Sequence, residues 1–186
     1  MSYPSDYPNM ELSDPELTQL LNDFDQGKIP LMVFMRMVAY LKEKKGEIES
    51  RDFLGKAVVG SFGRHTEGRD LMACLLEANG FSTIIAERDS TVQQMVGMCM
   101  DPEVTVLCIS VQTTYDCPDV FDTSDLLTEA GIRDRIVFNI GGSPINEELA
   151  AKAGSDVYSH TAAESIRLIK AEVLRRKSGM TDQPDS

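Results

Sequence analysis

The segment His65-Thr66-Glu67-Gly68 stands directly after the apolar run Lys56-Ala57-Val58-Val59-Gly60-Ser61-Phe62 and directly before a helical run from Arg69 to Asn79. Read as a first buried strand, the apolar run puts the imidazole at a carboxyl end, where open α/β sheets bind their ligands. A neutral imidazole in that place is a nitrogen donor for a transition metal rather than a packing residue. Two further loops join it. In flavodoxin-like order the loops after the first and third strands face each other, so residues 65–68 should meet Ser110-Val111-Gln112-Thr113-Thr114, which is polar where a crevice is expected. After the fourth strand comes Gly141-Gly142-Ser143-Pro144, whose missing side chains let a ligand approach the backbone near a helix start.

These loops need a sheet to carry them. From Gly55 onward, short β-branched runs alternate with helical stretches at the spacing of βα units. Strands are predicted at 56–62, 82–87, 104–110, 135–140 and 156–158, with helices near 68–79, 90–100, 119–130, 145–153 and 162–176. The run Val104-Thr105-Val106-Leu107-Cys108-Ile109 is apolar on both faces, as a central parallel strand covered by helices must be. The expected fold class is therefore α/β, a flavodoxin-like (Rossmann-like) doubly wound five-stranded parallel sheet with a short N-terminal helical extension.

Four regions follow: a flexible N-terminus over 1–12, about two helices over 13–54, the α/β domain over 55–177, and a disordered polar tail over 178–186. In the extension, Ser13 or Asp14 caps a helix that carries Pro15 in its first turn, buries Leu17, Leu20, Leu21 and Phe24, and stops at Gly27. Pro30 opens a second helix with the stripe Leu31, Phe34, Met35, Val38 and Leu41; Met32, Val33, Met37 and Tyr40 widen its apolar surface beyond one face. Either the sheet domain or a second subunit must cover that surface.

Eighteen Lys plus Arg against thirty Asp plus Glu give a formal net charge of −12, which repels nucleic acid and anionic membrane surfaces. Cys74, Cys99, Cys108 and Cys117 lie 25, 9 and 9 residues apart with no C-x-x-C pair, so neither a zinc site nor a disulfide framework is expected. The start of the chain lacks a basic and apolar leader and no run reaches membrane-spanning length, which reads as cytoplasmic. Other uses of this fold fit poorly. Phe62-Gly63 and Ser110 replace the carboxylates of a phosphoacceptor domain, Gly60, Gly63 and Gly68 miss the G-x-G-x-x-G spacing, and residues 63–68 offer one hydroxyl where a flavin phosphate loop needs several. His160 and Cys108 read as a loop residue and a core residue.

Residues from about Gly55 to Lys170 resemble a cobalamin-binding domain, closest to the corrinoid proteins of methyltransferase systems and the cobalamin module of methionine synthase. The resemblance rests on His65-x-x-Gly68, Leu75-Leu76-Glu77-Ala78-Asn79-Gly80-Phe81, Ser110 with Thr113-Thr114, Gly141-Gly142-Ser143-Pro144 and Asp156-Val157-Tyr158. It implies that His65 ligates cobalt in place of the cofactor's own dimethylbenzimidazole, whose nucleotide tail threads into a slot beside the sheet. Thr66, Gly68, Ser110, Gln112, Thr113, Thr114, Gly141, Gly142, Ser143 and Tyr158 would contact the cofactor. No acid, base or substrate pocket accompanies them, so the implied activity is that of a corrinoid carrier: it accepts and donates a methyl group on cobalt for partner methyltransferases rather than acting as a stand-alone enzyme. A cobalamin sensor or storage protein is the alternative. The family's Asp-x-His-x-x-Gly departs here at Gly63, which removes the carboxylate that would bond the second imidazole nitrogen. Ligation by His65 and ligation by the dimethylbenzimidazole both remain open. The family's N-terminal cap usually has four helices, so either the cap here is incomplete and leaves the upper face of cobalt open, or two subunits pair their helices into a homodimer that restores it.

Overall fold

The computed structural model describes residues 19–20, 22–24, 26–45, 54–62 and 66–179. The expected flexible N-terminus, the cap at Ser13 or Asp14, Leu17, Leu21, the side chain of Leu41, Gly63 to His65 and the tail beyond 179 lie outside the described residues.

Residues 19, 20 and 22–24 are helical, and Gly27 turns the chain with a φ of 70° into helix α1, Leu31–Lys45. Phe24 stacks on Phe34 with ring centroids 4.6 Å apart. Leu20, Phe34 and Val38 are buried in one core with Leu75 and Leu76, while Met32, Val33, Met37 and Tyr40 stay exposed on the other side of α1. Burying a side chain such as Phe34 contributes about 1.5–3 kcal/mol, which is what fixes the extension to the body.

Strand β1 spans Gly55–Phe62, followed by α2 (Glu67–Ala78), β2 (Phe81–Ile85), α3 (Val92–Met98) and β3 (Val104–Val111). A 3-10 helix over Thr114–Val120 leads to α4 (Thr123–Glu129), β4 (Val137–Gly141), α5 (Glu147–Lys152) and α6 (Ala162–Lys177). The strands form one parallel sheet in the order β2-β1-β3-β4. Alternation along β1 and β3 divides the core. Ala57, Val59, Val106 and Cys108 face α2, α6 and the extension; Val58, Leu107, Ile109 and Val111 face α3 and α4. Helices on both faces explain why these strands lack a polar side.

Two expectations are corrected. Residues 119–130 are not one helix: the segment around Pro118 is 3-10, and the buried Thr123 hydroxyl donates to the Val120 carbonyl at 2.7 Å, separating it from α4. The sheet has four strands rather than five, because the segment 156–158 reaches β4 through a single bridge between Asn139 and Val157. Beside a backbone bond from the Asp156 N–H to the Phe138 carbonyl at 2.8 Å, side chains supply the rest of the pairing. The Phe138 N–H donates to the Asp156 carboxylate at 2.7 Å, the Ile140 N–H to the Ser155 hydroxyl at 3.2 Å, and the Asn139 side-chain amide to the Val157 carbonyl at 3.0 Å. Asp156 is held in turn by Arg133, at 2.7 and 2.9 Å, and by Arg176 of α6 at 2.8 Å.

Glu172 of α6 extends this charged cluster, accepting from Arg175 at 2.8 Å and Arg176 at 2.7 Å. Burial alone would raise its pKa, but the two guanidinium groups outweigh burial and hold the carboxyl below its ordinary 4.5. A depressed folded value means stabilisation that is complete above the unfolded value and lost as pH falls through the folded one. Urea midpoints measured from pH 6 down to pH 3 should therefore decline, and Glu172→Gln should flatten that decline.

Candidate functional site

The ligand edge is built from three strand ends in register. Ser61 of β1 pairs with Ser110 of β3, which pairs with Gly141 of β4. By alternation these three, with Val59, Cys108 and Asn139 below them, share the sheet face covered by α2 and α6. Between those helices lies a cavity of about 190 Å³. Its floor is Val59, Cys108 and Asn139; Leu71 and Met72 of α2 form one wall, Ala162 and Ser165 of α6 the other, and Ser159 and His160 the rim. A cavity of roughly 150 Å³ suffices for benzene, so this one has room for a flat aromatic base.

Glycine shapes the cavity in two ways. A Cβ on Gly141 would meet nothing within 4 Å, so the cavity stays open because this residue has no side chain. At Gly68 the reason is close approach: a Cβ there would crowd the Ser110 hydroxyl, so glycine lets α2 start against β3 with that hydroxyl in place. Gly142 has a φ of 120°, a region reserved for glycine, and turns the chain away from β4 with its α-carbon packed on the Val111 backbone.

The polar chemistry of the face is unspent. Ser61 Oγ is buried without a hydrogen-bond partner. Ser110 and Ser165 are each 8% exposed, line or flank the cavity, and make no side-chain hydrogen bond among the described residues. Leaving such a group unsatisfied costs about 1–3 kcal/mol, a cost that a bound ligand's polar atoms would offset. Ser61→Ala should therefore leave the ligand-free protein as stable as the wild type or more stable by about 1 kcal/mol, as read from the urea midpoint; a loss of stability would mean that Ser61 has a structural partner. Burial pushes the Cys108 thiol well above its ordinary value, so the sulfur on the floor is a neutral thiol and no nucleophile. Among the described residues no group of three His, Cys, Asp or Glu could hold a metal ion.

Of the residues singled out in the sequence, Gly68, Ser110, Gly141 and Gly142 line the cavity. Gln112 stands beside it, its side-chain nitrogen 3.7 Å from where a Gly68 Cβ would be. Thr66 caps α2 and donates to Asp70 at 3.0 Å, and Thr113 donates to Asp116 at 2.8 Å. Thr114 opens the 3-10 helix and Ser143 follows β4, both exposed. Tyr158 donates its hydroxyl proton to the Ile145 carbonyl at 2.9 Å. His65, the expected metal ligand, lies outside the described residues. The sequence reading missed Asn139, Ser165 and His160. An asparagine within Val137-Phe138-Asn139-Ile140 and a serine one turn into α6 were the available signals.

No family model matches the chain. Curated relatives do. Trimethylamine corrinoid protein 1 of Methanosarcina acetivorans is 27% identical over 136 residues, 72% of this chain and 62% of that protein. The protein of the same name from Methanosarcina mazei is 27% identical over 161 residues, 81% of this chain and 74% of that one. This chain is similar in sequence to the corrinoid proteins. It spans about three-fifths of the length of the first of these relatives. Solved structures share the fold. A cobalamin-binding protein from Desulfitobacterium hafniense superposes with a TM-score of 0.68 at 21% identity, over 82% of this chain and 77% of that one. The methanol:cobalamin methyltransferase complex MtaBC from Methanosarcina barkeri matches with a TM-score of 0.64 at 21% identity, over 89% of this chain and 66% of that one.

Proposed function

We propose that this chain binds cobalamin at the carboxyl edge of its sheet and serves as a methyl carrier between partner methyltransferases. The observation that carries the reading is the cavity between α2 and α6, kept open by Gly141 and edged by the unpartnered hydroxyls of Ser110 and Ser165. Its size and its mix of apolar floor and polar rim fit the nucleotide tail of cobalamin drawn away from the metal. His65 is then the lower ligand. Gly68 and Gly142 bring backbone close to the cofactor, and Ser110 and Gln112 bond around its lower face; Thr66, Thr113, Thr114, Ser143 and Tyr158 support the surrounding loops. When bound, the cofactor supplies a cobalt centre that takes up and releases a methyl group. The chain's own residues bind it, orient it and hold its tail.

The names of the relatives support a methylamine-type system, and the partners are the methyltransferases that load and unload the carrier. The four cysteines form no disulfide among the described residues, in keeping with a reducing cytoplasm. The exposed Val33, Met37 and Tyr40 recur along α1 at helical spacing, and we take them as the surface on which a second copy pairs into a four-helix bundle; a concentration-independent monomer mass in sedimentation would refute that pairing.

The test is reconstitution. Purified protein mixed with hydroxocobalamin should retain it through gel filtration with a visible spectrum typical of displaced dimethylbenzimidazole, and His65→Ala should change that spectrum. The reduced, loaded protein should then accept a methyl group from a cognate methyltransferase. Retention without methyl acceptance would favour the sensor or storage reading, and no retention would end both.

A further inference from the structure

His160 on the cavity rim forms a hydrogen-bonded pair with Tyr158, and nothing above gives that histidine a role. The Tyr158 hydroxyl lies 2.9 Å from the Ile145 carbonyl oxygen and 3.1 Å from His160 Nδ1. A carbonyl oxygen only accepts, so the single phenol proton goes to Ile145. Burial, with Glu147 nearby, pushes the phenol above its ordinary 10.0, so it keeps that proton at neutral pH. What Tyr158 offers His160 is a lone pair, and Nδ1 must carry hydrogen to reach it. The neutral ring is thereby fixed as the Nδ1–H tautomer, with a free lone pair on Nε2.

The two rings meet edge to face, 5.3 Å between centroids at 76°, which holds the imidazole in one orientation although it is solvent-exposed. His160 lines the cavity together with Ser159 and Thr161, above the unpartnered Ser165. The hydroxyls of the rim can both donate and accept. Among the described lining residues, the imidazole nitrogen is the one ring-nitrogen acceptor. It suits a ligand that brings an O–H donor to the mouth of the cavity while its flat ring sits below.

We propose that His160 is a positioning residue for the nucleotide tail of cobalamin, its Nε2 accepting a hydrogen bond from a ribose hydroxyl of the tail. This rests on the reading of the cavity as the tail slot. His160 then selects for corrinoids that carry a complete tail, and it helps keep the dimethylbenzimidazole off the metal. The residue acts through the tail and not through the cobalt.

The experiment compares two probes on one protein: hydroxocobalamin, and diaquocobinamide, which has the same corrin and no nucleotide. Each is titrated by visible absorbance into wild type, His160→Ala and His160→Gln. Circular dichroism checks that the exposed substitutions leave the fold intact. Expected is a loss of about tenfold in cobalamin affinity for His160→Ala, the size of one hydrogen bond, with cobinamide affinity unchanged. Glutamine, whose side-chain carbonyl can accept in the same place, should recover part of the loss. Equal losses for both probes would overturn the proposal by placing His160 at the corrin or the metal. Unchanged cobalamin affinity would overturn it outright. If wild type binds neither probe, the cobalamin reading itself fails, and this inference fails with it.

Discussion

A valine at position 141 should leave the protein folded and deprive it of cobalamin. The backbone there is ordinary strand, Gly141 is not among the glycines with positive φ, and an added Cβ meets nothing within 4 Å. A β-branched residue suits a strand, so the stability change should stay within about 1 kcal/mol. The two methyl groups, however, project where the tail would lie. Forcing extra carbons into a fitted site costs about 1–3 kcal/mol, which reaches about 100-fold in affinity at its upper end. Gel filtration of the reconstituted variant, with urea unfolding of the same preparation, separates the two effects. A folded Gly141→Val that retains cobalamin as well as wild type would show that the cofactor does not use this cavity.

The largest expected loss of stability belongs to Asp156→Ala. Its carboxylate is 15% exposed, bonds both Arg133 and Arg176, and accepts from the Phe138 N–H. Removing it takes the carboxylate from two guanidinium groups that are themselves 22% and 18% exposed, of which Arg176 keeps Glu172, and leaves one backbone donor unpaired. Breaking a pair this buried costs about 3–5 kcal/mol, and the Arg133 bonds to Ile136 and Gly154 hold the loss toward the low end. Asp156→Asn keeps an acceptor for Phe138 and should lose less. Urea midpoints order the three proteins. If alanine costs under 1 kcal/mol, the cluster is solvent-screened and the edge of β4 is held by other means.

The fold was legible because its signals are local. Fully apolar β3 and the recurring βα spacing require a covered parallel sheet, and the observed strand order is that of the flavodoxin-like sheet. The fifth strand was misread because its content is short and, beside its backbone bonds to the Phe138 carbonyl, its contacts with β4 come from Ser155, Asp156 and Asn139 side chains, which no periodicity reveals. The site divides the same way. Ser110, Gly141 and Gly142 stand at strand ends and Gly68 in the first turn of the helix after β1, so topology alone puts them together. Asn139 and Ser165 belong to it through alternation on β4 and the placement of α6, which are tertiary facts. Thr113 illustrates the reverse: its loop is in the right place, but its hydroxyl is engaged by Asp116 three residues on.

The side chains that replace a fifth strand also decide what β4 presents to other molecules. Its outer edge would otherwise be an open row of N–H and C=O groups, a template on which another chain could add as a strand. Asp156 and Ser155 occupy two of those donors, and Arg176 of α6 helps hold Asp156 in place. The last helix is thus a guard against edge-to-edge association as well as a wall of the cofactor slot. A chain truncated before α6 should therefore aggregate through β4 rather than simply lose stability.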